Sequence, residues 1–288
     1  MLRLVAISFS ICLNTLLMGQ EKTIKLRIIQ TSDVHGCFFP YDFIERKPAK
    51  GSLARVSTYI KDLRKTYGAN LILMDNGDIL QGQPTCYYCN YVKPELPNVA
   101  ASVINYMGYD VQTIGNHDIE TGHNVYDKWI KEVKCPMLAA NIISKDTEKP
   151  YLNPYHIINR DGIKIAIIGM ITPAIPNWLN EKLWEGMSFQ EMKECALYWT
   201  TYLKKQENPD IIIGLFHSGA EGGIITDEYE EDASLRIAKE VPGFDLILYG
   251  HDHKKHIETI KNKDGHDVLC MDPSSNAYFI CDAETTGK

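Results

Sequence analysis

Val111–Gln112–Thr113–Ile114–Gly115–Asn116–His117–Asp118 reads as a short apolar strand that ends in a group of polar side chains. A strand tip is where an α/β protein places its chemistry, because side chains there point into the crevice beyond the carboxyl edge of the sheet. Asn offers a neutral oxygen and His a ring nitrogen, so the pair suits a metal or a substrate. Taken alone, an Asn-His pair in a loop is more often a capped turn. The pattern recurs, however. Ile24–Ile29 is followed by Asp33 and His35, and Leu71–Met74 by Asp75–Asn76–Gly77–Asp78. Ile211–Phe216 runs into His217, and Leu246–Tyr249 into Gly250–His251–Asp252–His253. Five β-like runs thus deliver metal-competent residues at the same end.

Helical periodicity separates these runs. Leu53, Val56, Ile60, Leu63 and Tyr67 share a face and Gly68 stops the helix. Asn98 caps a helix carrying Val99, Val103 and Met107 that ends at Gly108. Tyr126, Trp129 and Val133 mark another, and Ser188 with Glu191 forms a capping box ahead of Met192, Cys195, Trp199 and Leu203. Alternating strands and helices imply parallel βαβ units. Two stretches break the rhythm as hairpins, turning at Arg160–Asp161–Gly162 and at Asp264–Gly265, with Tyr278–Cys281 as a third short strand at the end. The expected class is α/β: two mixed sheets packed face to face with helices on both outer sides.

Arg3 and the apolar stretch Leu4–Met18 suit a secretory signal over residues 1–20, and are too short for a membrane span; a buried first helix is the alternative. Residues 21–288 are expected to form one catalytic domain, secreted or periplasmic, with no stable membrane insertion once the signal is removed. At 44% hydrophobic the chain can bury a sizeable core. A formal charge of −7 argues against a partner held through a broad basic face, so no polynucleotide is expected. Eight cysteines, less Cys12 in the signal, leave an odd number, read mostly as small buried hydrophobes. Cys86 and Cys89 form an isolated CxxC, which is a weak zinc signal and equally compatible with a disulfide.

Asp33, His35, Asp78, Asn116, His217, His251 and His253 make a donor set rich in nitrogen and carboxylate, suited to Mn, Fe, Zn, Co or Ni rather than to Ca or Mg. Seven donors are too many for one tetrahedral site and right for two divalent ions sharing a bridge, for which Asp78 is the choice. Such a centre carries surplus positive charge, so an acidic protein gains a local phosphate site, and a bridging hydroxide can attack phosphorus in line. His117 beside it could protonate the leaving alkoxide. Asp118 or Glu120 could hold the other ring nitrogen of His117, although Asp118 is equally a helix N-cap ahead of Thr121–Val133. His123, His156, His256 and His266 are read as surface histidines.

These residues resemble the calcineurin-like metallophosphoesterase superfamily. Asp33–Val34–His35, Gly77–Asp78, Gly115–Asn116–His117–Asp118, His217 and Gly250–His251–Asp252–His253 match its blocks in order. Thr31–Gly36, Gly77–Gly82 and Thr172–Trp178 are closest to the secreted 5′-nucleotidase and 2′,3′-cyclic-nucleotide 2′-phosphodiesterase branch. The resemblance implies a four-layer fold and two metal sites, Asp33, His35, Asp78 and His253 in one and Asp78, Asn116, His217 and His251 in the other. It also implies that His117 is the transition-state histidine. Secreted nucleotidases carry a second, C-terminal domain that clamps the base, which the resemblance here does not reach, so either a separately encoded nucleotide-binding domain is a partner that supplies base recognition or the enzyme is less selective. The expected activity is hydrolysis of nucleotides, as 5′-monophosphates or 2′,3′-cyclic diesters. Hydrolysis of UDP-sugars or other phosphate esters, a secreted metal- or phosphate-binding protein without turnover, and a thiol or zinc protein built on Cys86 and Cys89 are the alternatives.

Overall fold

The computed structural model describes residues 24–287, and the expected export segment lies outside them. β1 (Ile24–Thr31), β2 (Leu71–Asp75), β3 (Val111–Thr113) and β4 (Met137–Leu138) run parallel in one sheet. β5 (Tyr155–Arg160), β6 (Ile163–Ile171), β7 (Ile211–His217), β8 (Leu246–Tyr249), β9 (Lys255–Lys261) and β10 (Asp267–Pro273) form a second, in the order β9-β10-β8-β7-β6-β5. Its four inner strands are parallel and its two outer strands antiparallel. β11 (Cys281–Gly287) returns to the first sheet and pairs antiparallel with β1, Gln30 opposite Cys281.

Strands buried on both faces need no apolar-polar alternation, and these have little. Leu26, Ile28, Ile72 and Met74 point between the sheets and meet Ile165, Ile167, Ile213 and Leu215. Their neighbours Ile29, Leu71 and Leu73 point the other way, against α1 (Leu53–Tyr67), α2 (Val99–Met107) and α4 (His123–Glu132). α3 (Asn116–Ile119) is a single turn between β3 and α4. On the far side, Ile168, Ile212 and Phe216 pack on Met192 and Leu203 of α5 (Met192–Gln206) and on Ile237 of α6 (Ser234–Glu240). The result is four layers, helices outside and two sheets within, as expected. Full burial of each such Leu or Ile stabilises by roughly 1.5–3 kcal/mol.

Local signals place most elements. Ser52 and Asn98 cap α1 and α2 through their side chains, and Gly68 and Gly108 end them at positive φ. The Asp161–Gly162 turn has φ of 50° and 91°, which joins β5 to β6 as a two-residue hairpin. Two expectations need correction. The capping box is displaced: Ser188 lies in a short strand, Met187–Phe189, and Glu191 itself caps α5 by accepting the Glu194 N–H at 2.7 Å. The last strand begins at Cys281 rather than Tyr278, because its pairing is with β1 in the opposite sheet. No helix among the described residues is long and apolar enough to cross a membrane.

Candidate metal centre

The loops that leave β1 and β2 are joined by backbone hydrogen bonds. Asp33 N–H donates to Gly77 O at 3.0 Å, His35 N–H to Asp78 O at 2.9 Å, and Asn76 N–H to Thr31 O at 2.9 Å. Asp33, His35, Asp78, His251 and His253 all have positive φ, between 48° and 79°. Such a conformation is uncommon for a non-glycine residue and costs of order 1–3 kcal/mol, so five in one place mark a region the surrounding structure holds against its local preference. Close approach is also required. A Cβ on Gly115 would strike the Asp78 carboxylate, and one on Gly250 would strike Ser32 and Asp33.

All seven side chains converge. One donor atom each from Asp33, His35, Asp78 and His253 lie within 4.8 Å of one another. His253 Nε2 stands 3.0 Å from His35 Nε2 and 3.3 Å from Asp33 Oδ1. Next to this group, His217 Nε2 lies 3.2 Å from Asp78 Oδ2 and 3.0 Å from Asn116 Oδ1, which is in turn 2.9 Å from His251 Nδ1. Asp78 belongs to both groups.

The chemistry of this cluster is that of a cation site. Asp33 Oδ1 and Asp78 Oδ2 are buried and accept no hydrogen bond, a costly condition unless positive charge meets them. His217 Nδ1 donates to the Asn76 carbonyl at 2.7 Å, which leaves Nε2 to face a carboxylate and an amide oxygen. With only protein groups around it, that ring must hold a second proton. Burial disfavours the charged ring, but the charge of Asp78 and the contact with it prevail and push His217 up to about 10. Against the same burial cost, His253 and the charge of His217 hold Asp33 below the usual carboxylate range, and His217 holds Asp78 there too. The residues therefore fit divalent ions, and Nε2 of His217 would have to give up its proton to hold one.

Glu120 Oε2 meets His117 Nδ1 at 2.6 Å, and the His117 N–H donates to Asp78 Oδ1 at 2.8 Å. Asp118 does not touch the His117 ring, nor does it cap α4, whose N-cap is Gly122. Its carboxylate is buried and accepts four backbone N–H groups, those of Asp78, Gly115, Ile79 and Leu80, at 2.7–2.9 Å. Burial and the nearby Asp78 push it up to about 6. It braces the Asp78 loop. The seven cysteines among the described residues are all free, so Cys86 and Cys89 form no disulfide.

One residue escaped the sequence reading. Glu231, in a short hairpin of Gly222–Ile225 and Glu230–Asp232, places Oε1 3.1 Å from His251 Nε2 while Oε2 accepts the Ile224 N–H at 2.7 Å. Glu231, Asp232 and His251 also bring three potential donors together. Asp232 Oδ1 is already engaged by the Gly219 N–H at 2.7 Å, however, whereas Glu231 Oε1 is placed to hold a proton on His251 Nε2, which would free Nδ1, 2.9 Å from Asn116 Oδ1, for a cation. Nothing in the acidic run Asp227–Asp232 distinguishes Glu231 from solvated neighbours. Glu231→Gln is expected to weaken divalent-metal affinity about 10- to 100-fold in a competition titration; unchanged affinity would show the contact to be incidental.

The family model for calcineurin-like phosphoesterases matches residues 26–255. This chain belongs to the calcineurin-like phosphoesterase family. Among curated relatives of this chain, a 2′,3′-cyclic-nucleotide 2′-phosphodiesterase/3′-nucleotidase of Haemophilus influenzae is 30% identical over 84% of the chain and 38% of its own length. A 5′-nucleotidase of Vibrio cholerae is 32% identical over 93% of the chain and 48% of its own length. The chain thus spans less than half of each. The crystal structure of the calcineurin-like phosphoesterase YfkN from Bacillus subtilis superposes with a TM-score of 0.79, 27% identity, and coverage of 92% of this chain and 86% of that one. Haemophilus influenzae NAD nucleotidase shares the fold, at a TM-score of 0.74 and 23% identity over 92% of this chain and 48% of that one.

Proposed function

We propose that the chain hydrolyses nucleotides, as 5′-monophosphates or 2′,3′-cyclic diesters, using two divalent ions of the Mn, Zn, Fe or Co class. The observation that carries this is the pair of buried, undonated oxygens, Asp33 Oδ1 and Asp78 Oδ2, each facing an imidazole nitrogen in a chain of the phosphoesterase family. Names of the relatives supply the nucleotide class. Asp33, His35, Asp78 and His253 would hold one ion, and Asp78, Asn116, His217 and His251 the other. When bound, a pair of divalent ions polarises a phosphoryl group and lowers the pKa of water from 15.7 to roughly 7. Asp118 keeps the Asp78 loop in place, and Glu231 orients His251. Glu120 occupies Nδ1 of His117, so Nε2 is the atom that carries a proton to the departing alkoxide. Residues 1–20, as an export signal, would put the reaction in the periplasm or outside the cell; precursor retained uncleaved in the cytosol would contradict that placement.

The purified chain, stripped by chelator and reloaded with manganese, is expected to release phosphate or open cyclic diesters when screened against 5′-nucleotides, 2′,3′-cyclic nucleotides and UDP-sugars. Activity should disappear with chelator. Hydrolysis of none of these, at full metal occupancy, would overturn the reading.

Metal loading should also release protons. His217 is held up to about 10 by the protein alone, so it is protonated at pH 7, and a metal on Nε2 must displace that proton. Affinity therefore rises with pH up to about 10. Calorimetric titration in buffers of different ionisation enthalpy checks this: release of about one proton or more per chain is expected at pH 7, and no buffer dependence would contradict the role given to His217.

A further inference from the structure

Beside the cluster lies a cavity of about 320 Å³ lined by Asn116, His117, Glu120, Trp178, Leu179 and His251. Its polar lining comes from groups already placed in the centre; its apolar lining is Trp178 and Leu179. In an in-line displacement the departing oxygen lies toward the proton donor, so whatever leaves must occupy the space that His117 borders. We infer that Trp178 is the platform on which the departing nucleoside stacks its base. This rests on the phosphoesterase reading and adds to it a residue that receives the base.

Three observations carry the inference. Trp178 leaves 39% of its surface exposed and lines the cavity beside His117 and His251, and a large exposed ring beside a reactive cluster signals a binding surface. The ring is also held before any ligand arrives. It closes the helical turn Ile175–Trp178, stiffened by Pro176; Leu179 N–H donates to Ile175 O at 3.1 Å, and Asn177 Nδ2 bonds the Tyr229 hydroxyl of the hairpin that carries Glu231. The His251 ring lies 5.6 Å from it, the planes 35° apart, so the indole is fixed relative to the metal cluster. Finally, the lining holds no Lys or Arg. Beyond the metal cluster, a second phosphate would meet the Glu120 carboxylate there and no Lys or Arg, so the cavity suits an uncharged aromatic nucleoside better than the diphosphate of a UDP-sugar.

Preorganised base-aromatic stacking of this kind is sequence-tolerant, because every base has a π-face. Broad acceptance of bases is therefore the expected specificity.

The test compares wild type, Trp178→Ala and Trp178→Phe in two assays. With manganese-loaded protein, the ratio of kcat/KM for adenosine 5′-monophosphate to that for glycerol phosphate is expected to fall about 10- to 100-fold in Trp178→Ala and to recover most of its value in Trp178→Phe. With chelator-treated protein, adenosine binding followed by saturation-transfer NMR should be present in wild type, lost in Trp178→Ala and retained in Trp178→Phe. An unchanged ratio, or adenosine binding indifferent to the substitution, would overturn the inference while leaving hydrolysis intact. Trp178-dependent adenosine binding by a wild type that cleaves no phosphate ester would instead remove the catalytic reading and keep the platform.

Discussion

Asp78→Asn is expected to lower kcat for 4-nitrophenyl phosphate by roughly two to four orders of magnitude. Asp78 is the one side chain common to both groups of donors, and its two oxygens have separate tasks. Oδ1 accepts the His117 N–H at 2.8 Å, and Oδ2 faces His217 Nε2 at 3.2 Å. An asparagine can keep the first contact through its amide oxygen, so the loop survives. It removes the negative charge and presents N–H groups where two ions would be joined, so the loss falls on metal sharing rather than on folding. Circular dichroism and thermal unfolding in chelator should show a folded variant, because the neighbouring Asp118 carboxylate still holds the Asp78, Ile79 and Leu80 amides. Near-normal turnover at full metal loading would contradict the bridging role.

Substitution of His117 by asparagine should lower kcat on a nucleoside 5′-monophosphate by about 10²- to 10⁴-fold. The effect is expected to depend on the leaving group. An alkoxide must be protonated as it departs, so removal of the donor is costly, whereas nitrophenolate leaves without a proton and should retain more activity. Charge stabilisation on the phosphoryl oxygens is lost for both substrates. Steady-state rates on the two esters distinguish these contributions: equal losses would assign His117 to charge stabilisation alone, and no loss on either would remove it from catalysis. Glu120→Gln should move the rates in the same direction by less, since Glu120 acts only through the ring it orients at 2.6 Å.

Much of this arrangement was legible in the sequence because the carboxyl ends of five buried strands carry it. Uninterrupted apolar runs such as Ile211–Phe216 announce strands covered on both faces, and the residue after each run is necessarily near the sheet edge. That logic brought Asp33, Asp78, Asn116, His217 and His251 into one list although they are far apart in the chain. What failed depends on contacts between distant segments. Asp118 sits beside His117 in sequence, yet its carboxylate turns inward to bind amides 38–40 residues away. Glu231 finds His251 across 20 residues from within an acidic run whose other members look alike. β11 pairs with β1 at the opposite end of the chain, and no local alternation could have fixed that register. The displaced cap of α5 has a local cause: Ser188 and Glu191 both suit an N-cap, and Ser188 is taken by the short strand Met187–Phe189. The positive φ of Asp33, His35 and Asp78 was equally hidden, since the residue type alone signals it only at glycine.

Anomalous-difference diffraction from manganese-loaded crystals tests the central claim most directly. Two peaks are predicted, one among Asp33, His35, Asp78 and His253 and one among Asp78, Asn116, His217 and His251, with Asp78 touching both. Manganese bound elsewhere, or no peak at this cluster in protein that still cleaves phosphate esters, would contradict it.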